Sequence, residues 1–223
     1  LSEINTSVAQ ELAKFQGNNL NLNGLESIDK EVAQELGKGQ GQTLYLNGLT
    51  SINEKVAAEL AKFKGDIELN GLSEINTSVA QELAKFQGKR LSLYSLTAID
   101  KDIARELMKF QGEKLSLMGL RSIDKDVAQE LGKWQGKYLD LNSLTAIDKD
   151  IARELMKFPG SLILNGLRSI DKDVAQELGK WQGNYLDLDG LESIDKEVAL
   201  ELAKFQGNNL NLRGLKSIDK EVA

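Results

Sequence analysis

The stretch LDLDGLESIDKEVALELAKFQG, residues 186–207, decides the fold. Leu186 and Leu188 alternate with Asp187 and Asp189, the period of a strand with one buried side. Gly190 and Leu191 follow, and the spacing then changes. Ile194, Val198, Leu202 and Phe205 fall four, four and three residues apart, which is one face of a helix of about ten residues. Asp195 stands where a helix N-cap belongs, its side-chain oxygen set to take an orphan backbone N–H. Gly207 closes the unit, where left-handed backbone favours glycine. A helix this short is unstable alone, so the unit needs neighbours.

Outward from residue 186 the unit repeats in both directions. Its first strand leucine falls at Leu20, Leu44, Ile67, Leu91, Leu115, Leu139, Leu162, Leu186 and Leu210. The steps are 24 residues, or 23 where they end at Ile67 and Leu162. The cap position is always Asp or Asn, from Asn5 and Asp29 onward, and the position of Ala33 is always Ala. Small residues such as Gly37, Ala61 and Ala84 mark where helices touch. Asn-Gly at 23–24, 47–48, 70–71 and 165–166 predicts turns with glycine at positive φ. Phe or Trp fills the column of Phe15, Phe63, Phe86, Phe110, Trp134, Phe158, Trp181 and Phe205, read as core between layers; the second unit puts Gly39 there, which predicts a gap. Blocks recur too: residues 1–17 match 72–88, and 95–110 match 143–158. This points to duplicated multi-repeat blocks or a designed consensus; the one-residue deletions, Pro159 and Gly39 favour duplication.

Stacked units of this kind form an α/β solenoid of 23–24-residue strand–helix repeats, with a parallel sheet on one face and helices on the other. The strand–crossover–strand rule makes it right-handed. The repeats predict one continuous array over residues 1–223. Leu1 and Ala223 fall inside repeats, which predicts a piece of a longer protein whose uncapped ends stack on another chain.

The pattern resembles the leucine-rich-repeat family, in particular bacterial arrays with a short helix on the convex side. The family's strand reads LxxLxLxxN, and its Asn bonds backbone carbonyls between coils. Here Leu25, Leu49, Leu72 and their equivalents occupy the Asn position, so that Asn ladder is missing. The resemblance implies a protein-interaction surface on the strand face.

Composition narrows the chemistry. With no His and no Cys, the chain has no His general base, no Cys nucleophile and no thiolate metal site, and the cellular compartment stays open. No apolar run is long enough to span a bilayer. A net charge of −6 argues against nucleic acid as a partner. Gly37-Lys38-Gly39-Gln40-Gly41 looks like a phosphate loop, but it follows a helix and leads into a strand, the reverse of the nucleotide motifs. Asp187-Leu188-Asp189-Gly190 hints at a calcium loop without the remaining ligands. Glu35 with Lys38, and each pair like it, reads as an i,i+3 ion pair whose Lys complements the helix C-terminus. No catalytic residue, metal ligand or cofactor is assigned.

The outward strand positions vary most. All four tyrosines, Tyr45, Tyr94, Tyr138 and Tyr185, fall there with Arg90, Lys114, Met118 and Ile163. Tyr and Arg are favoured at binding hot spots, and an exposed Met or Ile calls for a reason. The expectation is a non-enzymatic scaffold binding a protein through this face, centred on Arg90, Tyr94, Lys114, Met118 and Tyr138. On adjacent strands Tyr94 meets Met118, and Arg90 lies beside Lys114, two like charges that call for an acidic or aromatic partner group. The alternative is a spacer, surface array or filament component, in which these residues drift.

Overall fold

The computed structural model describes residues 3–218. The residues on which the end-capping expectation turned, Leu1, Val222 and Ala223, lie outside that range. The chain divides into two compact units, Leu1–Leu117 and Met118–Ala223.

The first unit alternates helix and strand: α1 (Thr6–Leu12), β1 (Asn19–Asn21), α2 (Lys30–Leu36), β2 (Thr43–Tyr45), α3 (Glu54–Leu60), β3 (Asp66–Glu68), α4 (Thr77–Leu83), β4 (Arg90–Ser92), α5 (Lys101–Leu107) and β5 (Lys114–Ser116). Its strands pair in parallel in chain order, with Leu20 opposite Leu44, Leu44 opposite Ile67, Ile67 opposite Leu91 and Leu91 opposite Leu115. The second unit continues with α6 (Lys125–Leu131), β6 (Tyr138–Asp140), α7 (Lys149–Leu155), β7 (Ser161–Ile163), α8 (Lys172–Gly179), β8 (Tyr185–Asp187), β9 (Ser193–Ile194), α9 (Lys196–Leu202), β10 (Asn209–Asn211) and β11 (Ser217–Ile218). There β6, β7, β8 and β10 pair in parallel, and β9 pairs with β11 after the turn. Each unit is thus an α/β solenoid, a parallel sheet backed by short helices.

The helices are shorter than their apolar spacing suggests. Lys30–Leu36 has seven residues, and Asp29 Oδ1 accepts the Val32 N–H at 2.7 Å. Ile28 therefore precedes the cap, and the aromatic column follows the helix. Phe63 N–H bonds back to Leu60 O at 3.0 Å, a tightened 3₁₀-type turn that drops the ring between layers. There the rings stack, Phe86 on Phe110 at 5.9 Å and Trp134 on Phe158 at 5.7 Å between centroids. Trp181 Nε1 donates to Phe158 O at 2.7 Å, which satisfies its buried polar edge.

The glycines do not play the part expected of them. Among the described residues none has positive φ, and the residue that caps α2, Gly37, is right-handed at φ −63° and ψ −19°. The strand turn closes by Leu25 N–H to Leu22 O at 3.0 Å, which a type I turn achieves without glycine. Close approach selects glycine instead. A side chain at Gly48 would overlap the carbonyl oxygen of Asn23 in the preceding coil, and one at Gly37 would overlap that of Glu59. The second overlap bears out the reading of small residues as the points where helices touch.

The i,i+3 pairs form as expected, for example Lys38–Glu35 at 2.6 Å and Lys133–Glu130 at 2.9 Å. The Glu130 side chain is only 7% exposed and that of Glu177 9%, because the neighbouring helix covers the carboxylate while the ammonium stays in water.

Candidate functional site

In each coil three strand positions face away from the leucine core, giving three columns along the sheet. In the first unit the leading column runs Asn19, Thr43, Asp66, Arg90, Lys114, and the middle one Asn21, Tyr45, Glu68, Ser92, Ser116. The third column is a hydrogen-bonded ladder. Asn23 Oδ1 accepts the Asn47 N–H at 2.9 Å, Asn47 Oδ1 that of Asn70 at 2.9 Å, and Asn70 Oδ1 that of Tyr94 at 3.1 Å. Leucine does stand where the resembled family places Asn. A different asparagine, two residues earlier in the coil, ties coil to coil at Asn23, Asn47, Asn70 and Asn165. Asn-Gly at 23–24 and its equivalents were read as turn chemistry, but the asparagine's partner is the next coil.

Tyr94 ends that ladder in the first unit. It donates its backbone N–H to Asn70 and offers no Oδ1 of its own, and the residue is 48% exposed. Arg90 and Lys114 are register partners on β4 and β5, as expected. Arg90 is already answered, however, with Nε 3.5 Å from Asp66 Oδ2 on β3, so the pair does not itself demand an acidic partner group. Lys89 lies 3.8 Å from Glu113 alongside. Tyr45 is half-buried on β2, opposite Glu68.

Met118, Tyr138, Ile163 and Tyr185 belong to the second unit, so the five residues expected to form one centre are divided between two units. There the leading column reads Tyr138, Ser161, Tyr185 and the middle one Asp140, Ile163, Asp187. Ile163 is not the exposed apolar residue it was taken for; it is 5% exposed, and Asp140 and Ser161 are also buried. In the leading column Tyr138 and Tyr185 flank the short Ser161, and in the middle column Asp140 and Ile163 are buried while Asp187 is half-buried. Burial, then Asp140, Asp187 and Tyr185, raise the Tyr138 hydroxyl above its usual range. Burial and then Asp187 do the same to Tyr185. Asp187 serves hydrogen bonding, accepting from Asn211 Nδ2 at 2.6 Å and Asn165 Nδ2 at 3.2 Å. No group of three or more carboxylates placed to hold a metal occurs among the described residues.

At Gly39, where the ring is missing, a concavity runs from the end of α2 to the entry of β2. Gly37, Gly39, Gly41, Lys38, Lys62 and Lys64 line it with three glutamines. No helix among the described residues is long and apolar enough to cross a membrane.

Neither a protein-family model nor a curated protein sequence matches the chain. Solved structures do. A TLR13 structure, titled as a complex with ssRNA13, matches 95% of the chain at TM-score 0.57 and 19% identity. The Toll–Spatzle complex of Drosophila matches 98% at TM-score 0.57 and 13% identity. An internalin from Listeria monocytogenes matches 96% at TM-score 0.44 and 16% identity. These neighbours are leucine-rich-repeat proteins, and the chain has that fold. It spans about a third of the length of the two receptor chains, 33% and 34%, and 76% of the internalin. The expectation that nucleic acid is no partner finds no support here, since one neighbour of this fold is titled as bound to RNA.

Proposed function

We propose that this repeat scaffold is a non-enzymatic module that binds a protein through its outward strand face. Tyr94 carries the reading. In the preceding coils its position is Asn23, Asn47 and Asn70, whose side chains hold the next coil. Placing Tyr there gives up a ladder acceptor and leaves a large amphipathic residue 48% exposed. Packing gains nothing from that exchange, whereas a binding surface does: tyrosine supplies contact area at low entropic cost. Arg90 and Lys114 flank it in the leading column of the same unit. In the second unit Met118, Tyr138, Ile163 and Tyr185 furnish a further patch, Ile163 acting as packing beneath the tyrosines rather than as a contact. The strand face carries no imidazole and no thiol, and its Asp187 carboxylate is taken up by Asn211 and Asn165, so recognition rather than chemistry fits it.

The test replaces Arg90 and Tyr94 with Asn and Lys114 with Ser. A protein captured by the native chain is purified, and its affinity for both forms is measured. Loss of affinity at unchanged stability supports the reading. Equal affinity, or no protein captured by either form, leaves the spacer reading in its place. A single-stranded RNA that binds the native face and not the variant would replace protein with nucleic acid as the partner class.

A further inference from the structure

Asparagine followed by glycine occurs four times, at Asn23, Asn47, Asn70 and Asn165. The pair is chemically fragile. Glycine has no Cβ to shield its nitrogen, so that nitrogen can reach the amide carbon of the asparagine before it. The fold holds the four amides unequally.

All four sit in the same turn. Its closing bond runs from Leu25 N–H to Leu22 O at 3.0 Å, and the equivalent bonds at Leu49, Leu72 and Leu167 are 3.1–3.2 Å. All four also offer Oδ1 to a backbone N–H of the next coil, Asn165 to that of Asp189 at 2.9 Å. The amide nitrogens differ. Asn47 Nδ2 donates to Glu68 Oε2 at 3.2 Å, and Asn70 Nδ2 to the same oxygen at 3.0 Å. Asn165 Nδ2 donates to Asp187 Oδ2 at 3.2 Å. Asn70 is held further by Ser92 Oγ, which donates to its Oδ1 at 2.7 Å. Asn23 has no such carboxylate. The middle-column residue of its own coil is Asn21 and that of the next coil is Tyr45. Among the described residues its Nδ2 has no hydrogen-bond partner.

We propose that Asn23-Gly24 is a self-modification site, at which the folded chain sheds ammonia and gains a carboxylate ahead of its three other Asn-Gly pairs. The Gly24 nitrogen attacks Asn23 Cγ. The N–Cγ bond forms, the Cγ–Nδ2 bond breaks, and the Gly24 proton leaves with the amide as ammonia. Water then opens the five-membered imide. Breaking the new N–Cγ bond gives aspartate. Breaking the original bond to the Asn23 carbonyl carbon gives the isoaspartyl form, whose main chain runs through the former side chain. That form carries Oδ1 away from the Asn47 N–H and loosens this link of the ladder. At the other three pairs the carboxylate on Nδ2 restrains the amide and opposes its departure. The site stands or falls independently of the protein-binding reading.

The test is incubation of the whole folded chain at mildly alkaline pH, followed by tryptic cleavage and mass spectrometry. Cleavage separates the pairs: Asn23 falls in residues 15–30, Asn47 in 39–55, Asn70 in 65–85 and Asn165 in 158–168. Residues 205–213 repeat the FQGNNLNL of 15–22 with Arg213 in place of Asn23, and control for the other asparagines of that stretch. Amide-to-acid conversion should appear at Asn23 first, the other three lagging by about tenfold, the hold of a hydrogen bond to a charged group. Residues 205–213 should stay unchanged. In urea all four pairs should convert at similar rates. Glu68→Ala should speed conversion at Asn47. Gly24→Ala should suppress it at Asn23, and Ala fits that turn because no described glycine has positive φ. Equal rates in the folded chain, or conversion led by any of the other three, overturns the proposal. So does undiminished conversion in Gly24→Ala, or a ranking that persists in urea, which would assign it to local sequence rather than to the fold.

Discussion

Asn47 Oδ1 accepts the backbone N–H of Asn70, one coil further on, at 2.9 Å. The bond crosses from one repeat to the next outside the strand ladder, and it serves an N–H in a part-buried turn. Asn142 holds the equivalent position in the second unit, and its Oδ1 is buried without a protein hydrogen-bond partner among the described residues. Replacing Asn47 with Ala should therefore cost about 1–3 kcal/mol, because a donor is left unsatisfied. Replacing Asn142 with Ala should cost clearly less. Urea denaturation of the two variants checks the order, and a reversed order would show that the ladder bond does not set inter-coil stability.

The helix caps give a second prediction. Asp124 Oδ1 accepts the Val127 N–H at 2.8 Å, and Asn53 makes the same bond to Val56 at 3.0 Å. Asp124→Ala should destabilise the chain by about 1 kcal/mol, and Asp124→Asn by no more than a few tenths. Thermal or urea denaturation reads both. Equal losses would assign the effect to charge rather than to the cap bond.

These caps were legible in the sequence because their chemistry is local: an Asx side chain three residues before a buried Val or Ile specifies one bond. The strand alternation and the aromatic column were legible for the same reason, as periods along one chain. What was misread depends on the next coil. Glycine at 48 reads as a turn residue until the Asn23 carbonyl is placed against it. Ile163 reads as exposed until flanking strands put Tyr138, Asp140, Tyr185 and Asp187 around it. Arg90 reads as one half of a repulsive pair until Asp66 of the preceding strand is counted.

Tyr138 gives a pH dependence. Burial and nearby carboxylates raise its folded-state pKa above the ordinary 10.0, so the folded chain holds that proton more tightly than the unfolded one. The stabilisation is fully present below about pH 10 and is lost as pH rises through the folded pKa. Tyr138→Phe should lessen the fall in stability between neutral pH and pH values above about 10. Denaturation curves of both forms across that range measure it; parallel curves would remove Tyr138 as a source.

Gly39→Phe should stabilise the chain by about 1–2 kcal/mol, the return on burying a ring in a column that lacks one. The nearest atom to the new Cβ is the backbone Leu36 O at 3.0 Å, with the Phe63 ring next at 3.3 Å, and both need to give by only a few tenths of an ångström. Urea denaturation measures the gain. A destabilised variant would mean that Leu36 O and the Phe63 ring cannot yield.

The most direct test of the strand face as the binding surface is a photo-crosslinking amino acid placed in turn at Tyr94 and at Gln81, an exposed position on α4 of the same unit. Irradiation with the protein partner should yield a crosslinked product from position 94 and little from position 81. Equal yields from both positions, or product from position 81 alone, would contradict the account.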